Sequence, residues 1–159
     1  MMPRFRCLPA LVVLTPLAAC EIRDAQRGSP AAPPVEYVTS ESMAQLPFSE
    51  AVRVGSMLYL SGAIGTDPST GQLVEGGIAA ETRQVMENIR ASLERNGSGM
   101  DRVVKCLVML ADIAEWPAMN DVYVTFFPGP KPARSAMGAS GLALGARVEI
   151  ECMARVGPA

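Results

Sequence analysis

The chain has no histidine among its 159 residues. That absence removes every mechanism in which imidazole acts as base, acid or metal ligand, so Ser-His and Cys-His nucleophiles and zinc-histidine centres are excluded. Positive charge is also scarce. With 14 Lys and Arg against 16 Asp and Glu, the formal net charge is −2, which gives no electrostatic footprint for nucleic acid. Aromatic residues make up 5%, too few for a basic patch interleaved with stacking rings. No apolar run reaches the roughly 20 residues a spanning helix needs. Four cysteines are present, and Cys106 and Cys152 each stand in an apolar strand-like run with no second cysteine nearby. No metal-ligand spacing results. The expectation for these two is buried free thiols, with a disulfide as the alternative if their strands are neighbours.

What is present begins with a targeting pattern. Arg4 and Arg6 precede an apolar run from Leu8 to Leu17, interrupted by Pro9 and Pro16, and Leu17-Ala18-Ala19-Cys20 follows. A basic start, a short apolar stretch and small residues describe a secretory signal. The last four residues resemble the lipobox of bacterial lipoproteins, which implies cleavage before Cys20 and diacylglycerol on its sulfur. Residues 1–19 are thus expected to be a signal peptide, and residues 20–34 a lipidated cysteine and tether. The tether, Glu21 to Pro34, is rich in Pro, Ala, Arg and Ser and has too little apolar surface to offset its ordering entropy. The expected location is the cell envelope, on the periplasmic side and lipid-anchored, the outer membrane favoured because Glu21 and not Asp follows the cysteine.

Residues 35–159 read as one α+β domain. Glu50–Val54 and Met57–Ile64 are strand-like runs joined by Gly55-Ser56, hence a hairpin. Ser61-Gly62 interrupts the second run, which marks a bulge or a close approach to the backbone. Ile78, Val85, Met86, Ile89 and Leu93 follow a helical period that Asn96-Gly97 stops. Val103–Leu110 is a nearly all-apolar strand. Asp112 and Glu115 form a candidate capping box before a second helix with Trp116, Met119, Tyr123, Phe126 and Phe127 on its apolar side, read as core. The order β β α β α β β places two helices on one face of a mixed sheet. The other face then has to be covered, and identical subunits are the economical cover.

Pro128, Pro130 and Pro132 forbid helix and deliver the chain to Arg134 extended and stiff. From Ser135 to Val156 the pattern reads as a hairpin turning near Gly141-Leu142. A simple register sets Arg134 nearly opposite Glu149, either as an ordinary surface ion pair or as a pair of functional charges.

Several separate segments, in order, carry a resemblance: Pro47-Phe48-Ser49-Glu50-Ala51-Val52, Leu60-Ser61-Gly62-Ala63-Ile64, Met119-Asn120-Asp121-Val122-Tyr123, Phe126-Phe127-Pro128, Pro132-Ala133-Arg134-Ser135 and Val148-Glu149-Ile150-Glu151. These resemble the RidA/YjgF family of enamine/imine deaminases over about Leu46 to Ala154. The resemblance implies a chorismate-mutase-like homotrimer with active sites in clefts between subunits. It implies hydrolysis of 2-imino acids and their enamine tautomers to 2-keto acids and ammonia, with no metal and no cofactor. Arg134 is then expected to clamp the substrate carboxylate, Glu149 to orient or activate water, and Phe48, Ser61 and Asn120 to line the cleft. Phe48 stands where active relatives commonly have Tyr, Ala63 where they have Gln, and Ala136 where several have Cys. A non-catalytic trimer that binds small carboxylates at the envelope is the alternative. The expected partners are a small 2-imino acid or other carboxylate, two further copies of the chain and the membrane, and not nucleic acid.

Overall fold

A computed structural model describes residues 31–157. Its strands are β1 (Val35–Val38), β2 (Ala51–Val54), β3 (Met57–Leu60), β4 (Ala63–Ile64), β5 (Val103–Leu110), β6 (Ala133–Gly138) and β7 (Val148–Arg155), and its two α-helices are α1 (Gly77–Arg95) and α2 (Trp116–Tyr123). The expected signal peptide and Cys20 lie outside the described residues. Among those described, no helix is long and apolar enough to cross a membrane.

The local signals are honoured where they are strongest. Gly55 takes φ 57° in the tight turn between β2 and β3, and the register pairs Val54 with Met57 and Ala51 with Leu60. The apolar stripe of α1 is buried, with Val85, Met86, Ile89 and Leu93 all at 1% exposure or less. Its stop is the glycine motif expected of Asn96-Gly97. Gly97 has φ 73°, its N–H donates to the Glu94 carbonyl, and the Ser98 N–H donates back to Leu93 at 2.9 Å, which satisfies carbonyls the helix end leaves open. The capping box before α2 is only half formed. Asp112 Oδ1 accepts from Ala114 N at 2.9 Å, but the Glu115 carboxylate pairs with Arg147 instead of reaching back.

The sheet order is β1-β2-β3-β7-β5-β6, with β4 also on β7. β5 and β6 are parallel neighbours joined through α2, and β5 pairs antiparallel with β7. The expected β6–β7 hairpin is therefore wrong, because β5 lies between the two strands. β5 is apolar along almost its whole length and needs a neighbour on each side. The 139–147 loop carries the chain across its end, with Ala139 N donating to Leu110 O and Ala111 N to Arg147 O.

Residues in register share a sheet face. Cys106, Val108 and Leu110 on β5 and Val148, Ile150, Cys152 and Ala154 on β7 are buried, in one core with Met119, Tyr123 and Phe127. α1 and α2 cover this face, as expected. The alternate residues, among them Met109, Glu149, Glu151 and Met153, point to the open face, where Tyr59 and Met137 are also exposed. A depression of about 390 Å³ there is lined by Tyr59, Lys105, Leu107, Ser135 and Glu151 among others.

Cys106 and Cys152 are direct register partners and are joined by a disulfide, S–S 2.03 Å. The expectation of free thiols is thereby corrected. The condition that their strands be neighbours is met by the same insertion of β5 beside β7 that abolishes the hairpin.

Candidate functional site

Arg134 is the second residue of β6 and shares its face with Cys106, so its side chain turns toward α2. Nη1 donates to Asn120 Oδ1 at 2.9 Å. The guanidinium carbon lies 4.8 Å from the centre of the Tyr123 ring and 5.8 Å from that of Trp116. Residues spaced four and three apart share a helix face, so Trp116, Asn120 and Tyr123 make one cradle for one cation. Two aromatic faces attract it, and the amide fixes its rotation by holding one N–H. The remaining N–H groups suit a carboxylate, which a guanidinium can bind through two parallel hydrogen bonds. Tyr123 is buried, and its hydroxyl has no partner among the described residues. Burial raises its pKa, an effect that the Arg134 charge partly opposes.

The other sequence-predicted residues gather elsewhere. Ser61 Oγ donates to the Ser49 carbonyl at 2.7 Å, and Ser61 N donates to the Glu50 carbonyl. Those bonds tie the end of β3 to the segment that carries Phe48, which is 49% exposed. Glu50 itself is buried. Its Oε1 accepts from Ser92 Oγ and Arg95 Nη2, each at 2.6 Å. Burial pushes its pKa up, but the Ser92 hydroxyl, the Arg95 guanidinium and Ser40 together outweigh that and hold it below the usual value. This network fixes the start of β2. On the open face of the sheet, the Glu149 carboxylate passes over Gly62, where an added Cβ would lie 2.0 Å from Glu149 Oε1. A side chain at position 62 would push that carboxylate aside.

Arg134 and Glu149 do not meet across strands as the hairpin reading expected. Arg134 is in register with Cys106 and Glu149 with Met109, an odd offset along β5, so the two point to opposite faces of the sheet. Arg134 and Asn120 form one cluster; away from it, Ser61 is tied to Ser49 next to Phe48, and Glu149 lies over Gly62, the residue after Ser61. A wider groove of about 950 Å³, lined by Arg83, Arg90, Phe126, Pro130 and Lys131 among others, contains none of these residues. Among the described residues no group of three or more His, Cys, Asp or Glu is placed to hold a metal ion. Trp116 was missed by the sequence reading, which assigned it to the core; it is 36% exposed.

The fold and these residues define a small α+β protein that presents an anchored arginine, suited to a carboxylate, near a sheet edge and an acidic side chain on the opposite sheet face. Residues 39–156 match the family described as Endoribonuclease L-PSP, and the chain belongs to that family, the RidA/YjgF proteins. The mouse protein named 2-iminobutanoate/2-iminopropanoate deaminase is 44% identical over 112 residues, 70% of this chain and 83% of its own length. The RutC family protein PH0854 of Pyrococcus horikoshii is 43% identical over 108 residues, 68% of this chain and 86% of its own. Among solved structures, the YjgF gene product of E. coli superposes with a TM-score of 0.70 at 30% identity, covering 76% of this chain and 98% of that one.

Proposed function

We propose that the protein hydrolyses 2-imino acids to 2-keto acids and ammonia, at a site completed only when two copies of the chain meet. The observation that carries this is the Arg134 guanidinium, held by Asn120 at 2.9 Å and backed by two rings, with N–H groups left for a carboxylate. Glu149 of the same chain faces the other side of the sheet, so the acid that serves this arginine comes from a second copy. The open sheet face, with Tyr59 and Met137 exposed, is the surface such copies would bury, and a trimer is the assembly proposed.

In this reading Arg134 binds the substrate carboxylate and Glu149 takes a proton from water as its oxygen adds to C2. The C=N electrons move to nitrogen, which gains a proton. The amino group of the tetrahedral carbinolamine then takes the proton held by Glu149 and leaves as ammonia, while the hydroxyl proton passes through the carboxylate to solvent and C=O forms, so that one water is consumed and one ammonia released. Ser61 and Phe48 border the water-side cluster. An iminium is already electrophilic, so positioning supplies most of the acceleration, and the reaction calls on no metal or cofactor. The family description refers to RNA cleavage, but the acidic composition and lack of histidine argue against RNA as the substrate here.

The test is decay of 2-iminobutanoate, generated in situ by an amino-acid oxidase, with wild type and Arg134→Ala. Acceleration by wild type and none by the variant supports the proposal. Equal decay with both, together with carboxylate binding by calorimetry, replaces it with the non-catalytic carboxylate-binding module. For location, we propose the envelope, lipid-anchored through Cys20. Support comes from the Cys106–Cys152 disulfide, since such bonds persist in oxidising compartments. Continued membrane fractionation of a Cys20→Ser variant would rule out the anchor.

A further inference from the structure

We infer that Trp116 is the specificity wall of this site and that it selects 2-imino acids with branched or aromatic side chains over 2-iminopropanoate. The inference rests on the proposed carboxylate role of Arg134 and extends it to the rest of the substrate. Trp116 and Tyr123 flank Asn120 on α2, one before and one after it, and both rings lie within 6 Å of the Arg134 guanidinium carbon. Their exposures differ decisively: Tyr123 is at 5% and Trp116 at 36%. Tyr123 therefore backs the cation from within the core and is closed to a ligand, whereas Trp116 borders the side from which a carboxylate can approach.

A bidentate carboxylate places its carbon roughly 4 Å from the guanidinium carbon. C2 and its substituent then follow within one or two bonds. With the indole centre 5.8 Å from the same guanidinium carbon, the substituent on C2 runs alongside the ring. Ile113, 49% exposed, lies three residues before Trp116 at the far end of β6 from Arg134. Its Cβ packs 3.5 Å from where a side chain on Gly138 of β6 would begin. A methyl substituent touches little of this wall. An isobutyl or benzyl group covers the indole and gains apolar contact that the wall would otherwise lose to water.

The chain holds a single tryptophan, so its emission reports on this wall alone and does not depend on turnover. The experiment uses the full chain, as wild type, Trp116→Phe, Trp116→Ala and Arg134→Ala. First, 4-methyl-2-oxopentanoate, the product expected from the leucine-derived imine, is titrated while tryptophan emission is followed. A saturable change is expected in wild type, absent in Arg134→Ala. Second, kcat and KM are measured for imines derived from alanine, leucine and phenylalanine. In wild type the larger two are expected to have the higher kcat/KM. In Trp116→Ala the ratio of leucine-derived to alanine-derived kcat/KM falls by about tenfold, chiefly through KM, and Trp116→Phe keeps most of it.

If wild type turns over no imine but 4-methyl-2-oxopentanoate still changes the emission in an Arg134-dependent way, the deaminase reading fails and the wall stands. The wall is refuted if calorimetry shows binding while the emission is unchanged. It is also refuted if Trp116→Ala lowers all three imines by the same factor, because a purely structural role would scale them together.

Discussion

Reducing the Cys106–Cys152 bond gives a quantitative test of the strand order. The two cysteines are 46 residues apart in sequence. Closing a loop of that length removes about 13 cal/mol/K of unfolded-chain entropy, or about 4 kcal/mol at 25 °C. Both sulfurs stay within the core on reduction, so no cavity adds to this figure. For a domain of this size each kcal/mol moves the midpoint of thermal unfolding by roughly 3 to 5 °C. A fall of about 12 to 20 °C is therefore expected. Cys7 and Cys20 are first replaced by serine, leaving two thiols. Thermal unfolding is then followed by circular dichroism on protein refolded with and without reductant, and thiols are counted under denaturant. An unchanged midpoint, with two reactive thiols before any reductant is added, would show that β5 and β7 are not cross-linked and refute the reasoning.

Two further changes probe the frame of the site. Glu50→Gln should destabilise the domain at neutral pH by about 1 to 3 kcal/mol, because it weakens charge-assisted hydrogen bonds to a buried acceptor. The Glu50 pKa is lowered on folding, so its ionised form contributes stability that is present above the unfolded carboxylate value and is lost as pH falls through the lower folded value. The gap between wild type and variant in denaturant titrations should thus close in acid, and a gap that widens there contradicts the assignment. Gly62→Ala puts a carbon 2.0 Å from Glu149 Oε1 and forces the carboxylate aside. Imine turnover should drop about a hundredfold while the unfolding midpoint moves by only a few degrees, and wild-type kinetics would mean that Glu149 has no part in the chemistry.

The sequence was most legible where the signal is local. The stripe Val85, Met86, Ile89, Leu93 and the stop at Gly97 specify α1 without reference to anything distant, and Gly55-Ser56 between two apolar runs specifies the β2–β3 turn. β1 was not read as a strand, since Val35-Glu36-Tyr37-Val38 is short, mostly exposed and follows a proline-rich stretch. The β6–β7 hairpin failed for a different reason: strand neighbours are set by which strand most needs covering on both sides, and β5 outcompeted the local turn. That one misreading displaced two others, the Arg134–Glu149 pairing and the state of Cys106 and Cys152. The chemical types at the candidate site were legible, as was Asn120 beside the apolar stripe of α2. The separation of Arg134 and Glu149 onto opposite faces was not, because it depends on counting register through β5. Trp116 escaped because periodicity reports which side of a helix is apolar, and not whether the first turn of that helix is covered.

Mixing two inactive variants tests the shared site most directly. Arg134→Ala and Glu149→Gln are each expected to be inactive toward 2-iminobutanoate. If the arginine of one copy works with the glutamate of another, dissociating and reassembling a mixture of equal parts restores about a quarter of the sites in a cyclic oligomer, and ammonia release recovers in proportion. If the two residues served a site within one chain, every chain in the mixture would carry a defect in its own site. Activity would then stay at the level of the separate variants, and the account of a site completed between copies would be contradicted.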